Sequence, residues 1–315
     1  MKFNVLCFGS ATIDIYLTSA DFKIYKKEEG PMLCTEYGGK INLDDNLMTT
    51  GGGATNVAVC FERLGLQTGL IACVGRDYWA SIVRAKLRDE GVSLVHLQAT
   101  AKKPTSSSIV LVGQDGGRTI LVHRAASNLL SWYKVDWDRL DADWIYASSL
   151  GGDFKLLAKM IGLSKNKQIK IAFNPGGSEL EDRKTLLSFL PFIHILILNK
   201  QEFLDLLGKD GNEEFKQKDV LKLGCEMVLI TEGRKGSRVF TQDKKIYFQD
   251  IVKAKTVEET GAGDSFGSSF VAGQILGFSI ADSLKIAAYN AASVVSKVGP
   301  KQGLLFLPEI KKLLS

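Results

Sequence analysis

Short apolar runs alternate along the chain with longer stretches whose apolar residues recur at helical spacing. The runs Phe3–Phe8, Thr68–Val74, Trp144–Ala147, Ile169–Phe173, Ile193–Leu198 and Met227–Ile230 are rich in β-branched and aromatic residues and predict strands. Several are apolar throughout, the pattern of strands covered on both faces. The stretches Ala54–Leu64, Tyr78–Glu90, Phe154–Leu163, Arg183–Phe189, Lys200–Leu206, Glu213–Leu223, Ala262–Leu276, Ser279–Lys297 and Pro308–Leu314 predict helices. The alternation predicts an α/β fold with a mostly parallel sheet and helices on both faces.

Two regions break the rhythm. Ile13 to Thr50 reads as a long, strand-poor insertion, and insertions of that length in compact domains usually carry function. Thr105–Val112 and Arg118–His123 predict a hairpin across Gln114-Asp115-Gly116-Gly117. Both regions are expected in one small sheet projecting from the main body. A second hairpin is predicted from Arg238–Thr241 and Lys244–Phe248. There is no repeat, low-complexity tract or linker, so the 315 residues read as one domain with an appendage.

Composition narrows the class. Hydrophobic residues are 45% and charged residues 24%, enough for a packed core. The 40 basic and 35 acidic residues are interspersed, giving a net charge of +5. The pairs Lys26-Lys27, Lys102-Lys103 and Lys311-Lys312 read as solvated faces, so nucleic-acid binding is not indicated, whereas a small anion such as a nucleotide fits. Cys7, Cys34, Cys60, Cys73 and Cys225 are odd in number and match no C-x-x-C pattern; they read as small hydrophobes in a reducing compartment. No run approaches the roughly 18 apolar residues of a membrane span, and the N-terminal apolar stretch is too short for a signal peptide. The expectation is a soluble cytoplasmic protein with no membrane or nucleic-acid partner.

Two glycine-rich segments carry the candidate chemistry. Gly51-Gly52-Gly53-Ala54-Thr55-Asn56 precedes a predicted helix, where free backbone N–H groups face a ligand and Asn56 can offer an amide to a polyol; a plain tight turn is the other reading. Glu258-Glu259-Thr260-Gly261-Ala262-Gly263-Asp264 opens another helix, and successive amides there form a cradle for negative charge. Asp264 in the first turn is either a dipole partner of the helix or a base for an attacking hydroxyl. No P-loop is present, and Gly261 to Gly267 is one residue off the dinucleotide fingerprint.

Together these segments resemble the signatures of the ribokinase/PfkB family of carbohydrate kinases. Gly51-Gly52-Gly53-Ala54-x-Asn56-x-Ala58, with Gly65 and Gly75 beyond, is similar to the first, and Gly261-Ala262-Gly263-Asp264 to the second. Asn199-Lys200-Gln201-Glu202 resembles the family's N-x-x-E motif, and Thr231 to Gly236 its T-x-G-x-x-G segment. The resemblance runs from Gly9 and Asp14 to the helix containing Asn290. It implies a three-layer ribokinase-like domain spanning 1–315, with a β-sheet lid from segments of about 13–50 and 104–124.

The resemblance also implies a reaction: transfer of the γ-phosphoryl of ATP to a hydroxyl of a small sugar. Asp264 would be the base and the amides of Gly261, Ala262, Gly263 and Asp264 the anion hole. Asp14, Gly52, Gly53, Asn56 and Arg124 would meet the substrate. Thr231, Gly233 and Gly236 would flank the nucleotide and Asn290 the adenine. Asn199 and Glu202 would support Mg²⁺ through waters. Several family members pair their lids, which implies a homodimer. Where the family has Asp-Thr-Thr, this chain has Glu258-Glu259-Thr260, so a monovalent-cation site is either carried by Glu258 with a longer reach or absent. Glu259 adds negative charge near the phosphate unless it points away. Arg76 to Ala80 replaces a glycine-bearing turn. Two other readings stay open: an adenosine-like nucleoside kinase, with Tyr16, Phe22, Tyr25 and Tyr37 stacking on a base, and a non-catalytic sugar-binding regulator.

Overall fold

The computed structural model describes residues 2–27, 30–115, 117–209, 211 and 213–314. The chain enters through β1 (Phe3–Phe8), which is buried along nearly its whole length. It then leaves the main body through β2 (Thr12–Thr18), β3 (Lys23–Lys27), β4 (Gly30–Cys34) and β5 (Asp45–Gly51); β2 and β5 enter the small sheet, while β3 and β4 pair only with each other as a separate two-stranded sheet. Helix α1 (Gly53–Arg63) returns it to the body, followed by β6 (Thr68–Ile71), β7 (Cys73–Val74), α2 (Tyr78–Asp89) and β8 (Gln98–Ala99). The hairpin β9 (Ser106–Val112) and β10 (Arg118–His123) completes the small sheet.

The second half alternates more regularly, through β11 (Ala142–Ala147), α3 (Phe154–Lys167), β12 (Lys170–Phe173), α4 (Gly177–Glu181), α5 (Arg183–Phe189), β13 (Ile195–Asn199), α6 (Lys200–Leu207), α7 (Gln217–Leu221) and β14 (Met227–Thr231). The hairpin β15 (Ser237–Thr241) and β16 (Ile246–Gln249) closes one edge, and α8 (Ala262–Ile275), α9 (Ile280–Val295) and α10 (Leu307–Leu314) cover one face.

The eight-stranded sheet runs β16-β15-β14-β13-β12-β11-β1-β6. Its strands from β6 to β14 are parallel, and only the terminal hairpin is antiparallel. One apolar core lies under α1, α2, α8 and α9, and another under α3, α5 and α6, so the sheet is the middle of three layers. No described helix is long and apolar enough to cross a membrane.

The region from 13 to 50 is not strand-poor; it holds most of β2 and β5 and all of β3 and β4. Its strands escape the pattern for separate reasons. β2 places Asp14 on a buried face, β3 is exposed at every position, and β5 reads Asp-Asn-Leu-Met-Thr-Thr-Gly, with residues that disfavour strands in isolation. Cross-strand pairing supplies what propensity withholds, because β2 is hydrogen-bonded on one side to β5 and on the other to β9. The run from Thr68 divides: β6 stays in the main sheet and β7 pairs with β8 elsewhere. The helix expected over 213–223 is confined to Gln217–Leu221, begun where Asp219 accepts from the Lys216 amide. Of the hairpin turn, Gly116 lies outside the described residues.

Candidate active site

The strand order reverses at β1, with β6 on one side and β11 on the other. Ligands of open α/β sheets bind outside the carboxyl ends of strands at such a point. Gly9 leaves β1 at φ 144°, and a Cβ on it would lie 3.1 Å from Ser148, at the end of β11. The glycine turn from β5 into α1 crosses here. A Cβ on Gly51 would fall 1.8 Å from the Asp14 carboxylate. Gly52 sits at φ 90°, where a Cβ would come within 2.6 Å of the Ser10 carbonyl, and the Gly53 amide donates to Ser10 Oγ at 3.1 Å. The glycines are needed because backbone runs directly against Asp14 and Ser10.

Asp14 belongs to the small sheet, opposite Thr49 of β5 and Ser108 of β9. Its carboxylate accepts from Thr12 Oγ1 at 2.8 Å. Burial raises its pKa, opposed by hydrogen bonds from Thr12 and Ser108 and by the positive Lys301.

Helix α8 begins at Gly261, left-handed at φ 83°, with no side chain capping its end. A Cβ there would lie 2.5 Å from Pro300, so the tight entry depends on glycine. The Ala262 amide is spent on the Glu259 carbonyl at 3.2 Å, which removes it from the four-residue anion hole expected from sequence. The Gly263 and Asp264 amides lie in the first turn, where a helix has no internal partner to give. Asp264 is half-buried, and its Oδ2 accepts from Asn56 Nδ2 at 2.8 Å, a contact across 208 residues of sequence. Burial raises its pKa, the Asn56 hydrogen bond and Lys301 lower it, and Asp14 raises it.

One residue of this cluster has no counterpart in the sequence reading. The Lys301 ammonium is 5% exposed and donates to the Thr50 carbonyl at 2.5 Å, Thr55 Oγ1 at 3.1 Å and Asn56 Oδ1 at 2.6 Å. Burial lowers its pKa to about 7, against the pull of Asp14 and Asp264. Only the helix that Pro308 opens was predicted in that part of the chain, and a lone lysine in Gly-Pro-Lys-Gln-Gly gives no local signal.

The nucleotide-side candidates gather at the ends of neighbouring strands. Asn199 pairs in register with Thr231, and Thr231 with Ser237. Asn199 and Glu202 form a reciprocal cap on α6: Asn199 Oδ1 accepts from the Glu202 amide and Glu202 Oε2 from the Asn199 amide, both at 2.9 Å. Burial raises the Glu202 pKa, with Asp205 and Asp264 adding to it, so the cap lies within the field of Asp264. Gly233 and Gly236 turn the chain at φ 57° and 83°, and a Cβ on Gly236 would meet the Gln249 carbonyl at 2.3 Å. Asn290 corrects the expectation of an adenine contact. It is 0% exposed, its Nδ2 donates to Ser269 Oγ at 2.7 Å, and its Oδ1 accepts from the Leu305 amide at 2.9 Å. Both ends of the amide are consumed in joining α9 to α8 and to the following loop.

On the acceptor side, Arg124 is exposed and lines a cavity of 690 Å³ with Ser10, Thr12, His123 and Ser149. Its floor is tied by Glu179, a buried carboxylate accepting from the amides of Leu150, Gly152 and Gly176, each at 2.8 Å. Tyr16 and Phe22 are 1% and 4% exposed, so they are packing residues and cannot stack on a base; Tyr25 and Tyr37 are exposed. Glu258 is buried and accepts from the Thr260 amide at 2.6 Å, whereas the Glu259 side chain is 67% exposed and points away. Arg118 of β10 reaches both carboxylates, at 3.5 and 3.7 Å.

The structure brings the Asp264 carboxylate, the first-turn amides of α8 and the Asp14 carboxylate close together near the strand-order reversal. The pattern of the pfkB family carbohydrate kinases matches residues 2–305. The chain belongs to that family. Among curated relatives, the ribokinase of Arabidopsis thaliana is 29% identical over 320 residues, covering 97% of this chain and 79% of its own length. The nucleoside kinase of Methanocaldococcus jannaschii is 25% identical over 259 residues, covering 81% and 82%. The solved structure of Arabidopsis thaliana ribokinase complexed with ribose and ATP superposes with a TM-score of 0.81 at 25% identity, covering 100% of this chain and 99% of that one. As a pfkB kinase, the chain is a phosphotransferase acting on a hydroxyl of a sugar or nucleoside, with ATP as donor.

Proposed function

We propose that this pfkB kinase phosphorylates a hydroxyl of a small sugar or sugar derivative, with Asp264 taking the proton. The observation that carries the reading is the placement of Asp264. It sits in the first turn of α8 beside uncapped amides, held by Asn56 from the opposite glycine turn. The acceptor hydroxyl lies between Asp14 and Asp264, where two carboxylates accept hydrogen bonds from a polyol. The Gly261, Gly263 and Asp264 amides face the charge that develops on the phosphoryl oxygens. Thr231, Gly233 and Gly236 border the nucleotide, and Arg124 closes on the acceptor.

Glu202 uses only Oε2 in its cap, leaving Oε1 for a water-mediated contact, so Asn199 and Glu202 fit Mg²⁺ support. Bound there, Mg²⁺ supplies charge neutralisation on the phosphates. Arg118 beside Glu258 and Glu259 already places a cation at that loop, so we assign no monovalent cation. The domain acts as one unit in a reducing compartment, with segments 13–50 and 104–124 as the lid. The exposed Ile120, Leu121 and Val122 of β10 are where a second copy would pair.

Burial removes Tyr16 and Phe22 as stacking groups, while Tyr25 and Tyr37 are exposed, so a nucleoside stays as the alternative acceptor. A coupled ADP-release assay with a panel of sugars and nucleosides tests both levels. Turnover with a sugar, and a loss of about 10²- to 10⁴-fold in Asp264→Asn, is the expected result. An Asp264→Asn enzyme with full turnover removes the base assignment. Turnover with nucleosides alone removes the sugar, and sugar binding without ADP release from any acceptor leaves a binding protein.

A further inference from the structure

Lys301 is not needed for any step above, yet its ammonium is buried among the groups that perform them. We propose that Lys301 is a positioning residue that fixes the orientation of the Asn56 amide and, through it, the Asp264 base. The inference rests on reading Asp264 as that base.

The Lys301 amine has three N–H bonds when charged and two when neutral, enough in either state for the two acceptors it holds most closely. Those are the Thr50 carbonyl at 2.5 Å and Asn56 Oδ1 at 2.6 Å, with Thr55 Oγ1 at 3.1 Å the third. Asn56 therefore turns its oxygen to Lys301 and its NH₂ to Asp264 Oδ2. The reversed amide would set a carbonyl oxygen against a carboxylate and an NH₂ against an ammonium. Lys301 thus selects the one amide orientation that holds the base. The same loop reaches the anion cradle, because Pro300 abuts Gly261. The charged groups facing Lys301 are Asp14 on β2, Asp264 on α8, Glu90 after α2 and Arg63 on α1, so three carboxylates and one cation share its field.

The test is a double-mutant cycle read by steady-state kinetics. Lys301→Met is expected to lower kcat about 30-fold, the scale of a displaced catalytic group, with acceptor KM changed less than about threefold. In an Asn56→Ala background the same change should alter kcat by less than about twofold, because the effect runs through Asn56. Lys301→Gln keeps a donor for Asn56 Oδ1 and should recover most of the loss; it carries the comparison if the Met variant fails to bind ATP. The acid limb of kcat/KM should move to higher pH in Lys301→Met, since the contacts that lower the Asp264 pKa are lost. Equal losses in both backgrounds, or an unmoved acid limb, overturn the proposal. Asp264→Asn in the same assay separates the questions: its activity decides the base, whatever Lys301 does.

Discussion

A methyl group at position 51 would occupy the space of the Asp14 carboxylate, the tightest constraint in the proposed acceptor site. Gly51→Ala is expected to raise acceptor KM at least about tenfold by displacing Asp14, while the KM for ATP stays put. Steady-state titration of each substrate checks the split. Lys301 makes a second prediction, for stability. Its pKa is near 7 when folded and near 10.5 as the ordinary value, so the unfolded chain binds more protons between those limits. Stability therefore rises with pH across that window, and the cost of burying the charged amine is fully present below 7. Melting temperatures from pH 6.5 to 10 should show wild type gaining on Lys301→Met as pH increases. Burial raises the Asp264 pKa above its ordinary 3.8, so with Asp264 as the proposed base kcat/KM should fall on its acid side at a pH above 3.8. Asn56 and Asp264 were legible because each sits in a glycine-marked segment that opens a helix, whereas Asp14, inside a strand, was marked only by the family resemblance. Lys301 was not, since its partner Asn56 lies 245 positions away and nothing local marks it.

At the level of elements, the α6 start could be read directly: Asn-x-x-Glu is the sequence form of a reciprocal cap, and the structure contains it. The two loops under the acceptor cavity could not, because their tie is a glutamate in a five-residue helix. Glu179 satisfies three amides at once, from two loops. Glu179→Ala should cost about 1–3 kcal/mol in all, because the three amides it serves are part-buried and water can replace some of the lost bonds; denaturant unfolding measures it. The strands between residues 13 and 50 were illegible for a related reason. Their backbone bonds come from other strands, β2 from β5 and from β9 more than fifty residues onward and β3 from β4, so local preference says little about them.

For the whole molecule, the three-layer body was readable from alternation alone, because parallel strands covered on both faces must be apolar. How the small sheet meets that body was not. Arg118 on β10 meets Glu258 and Glu259 just ahead of the anion cradle, joining the small sheet to the segment that starts α8. Arg118→Gln should lower acceptor kcat/KM about three- to tenfold at low ionic strength, with the gap to wild type narrowing as salt screens the pair. Salt titration of both enzymes checks it.

Asp14 rides on the small sheet, whereas Asp264 rides on the body. On the proposed reading, the group that meets the acceptor and the group that activates it thus belong to separately exchangeable parts. Transplanting residues 12–51 and 105–124 from a relative of different taste should carry its preference across, leaving the nucleotide half untouched. Diversification of such kinases can then proceed by revising one sheet.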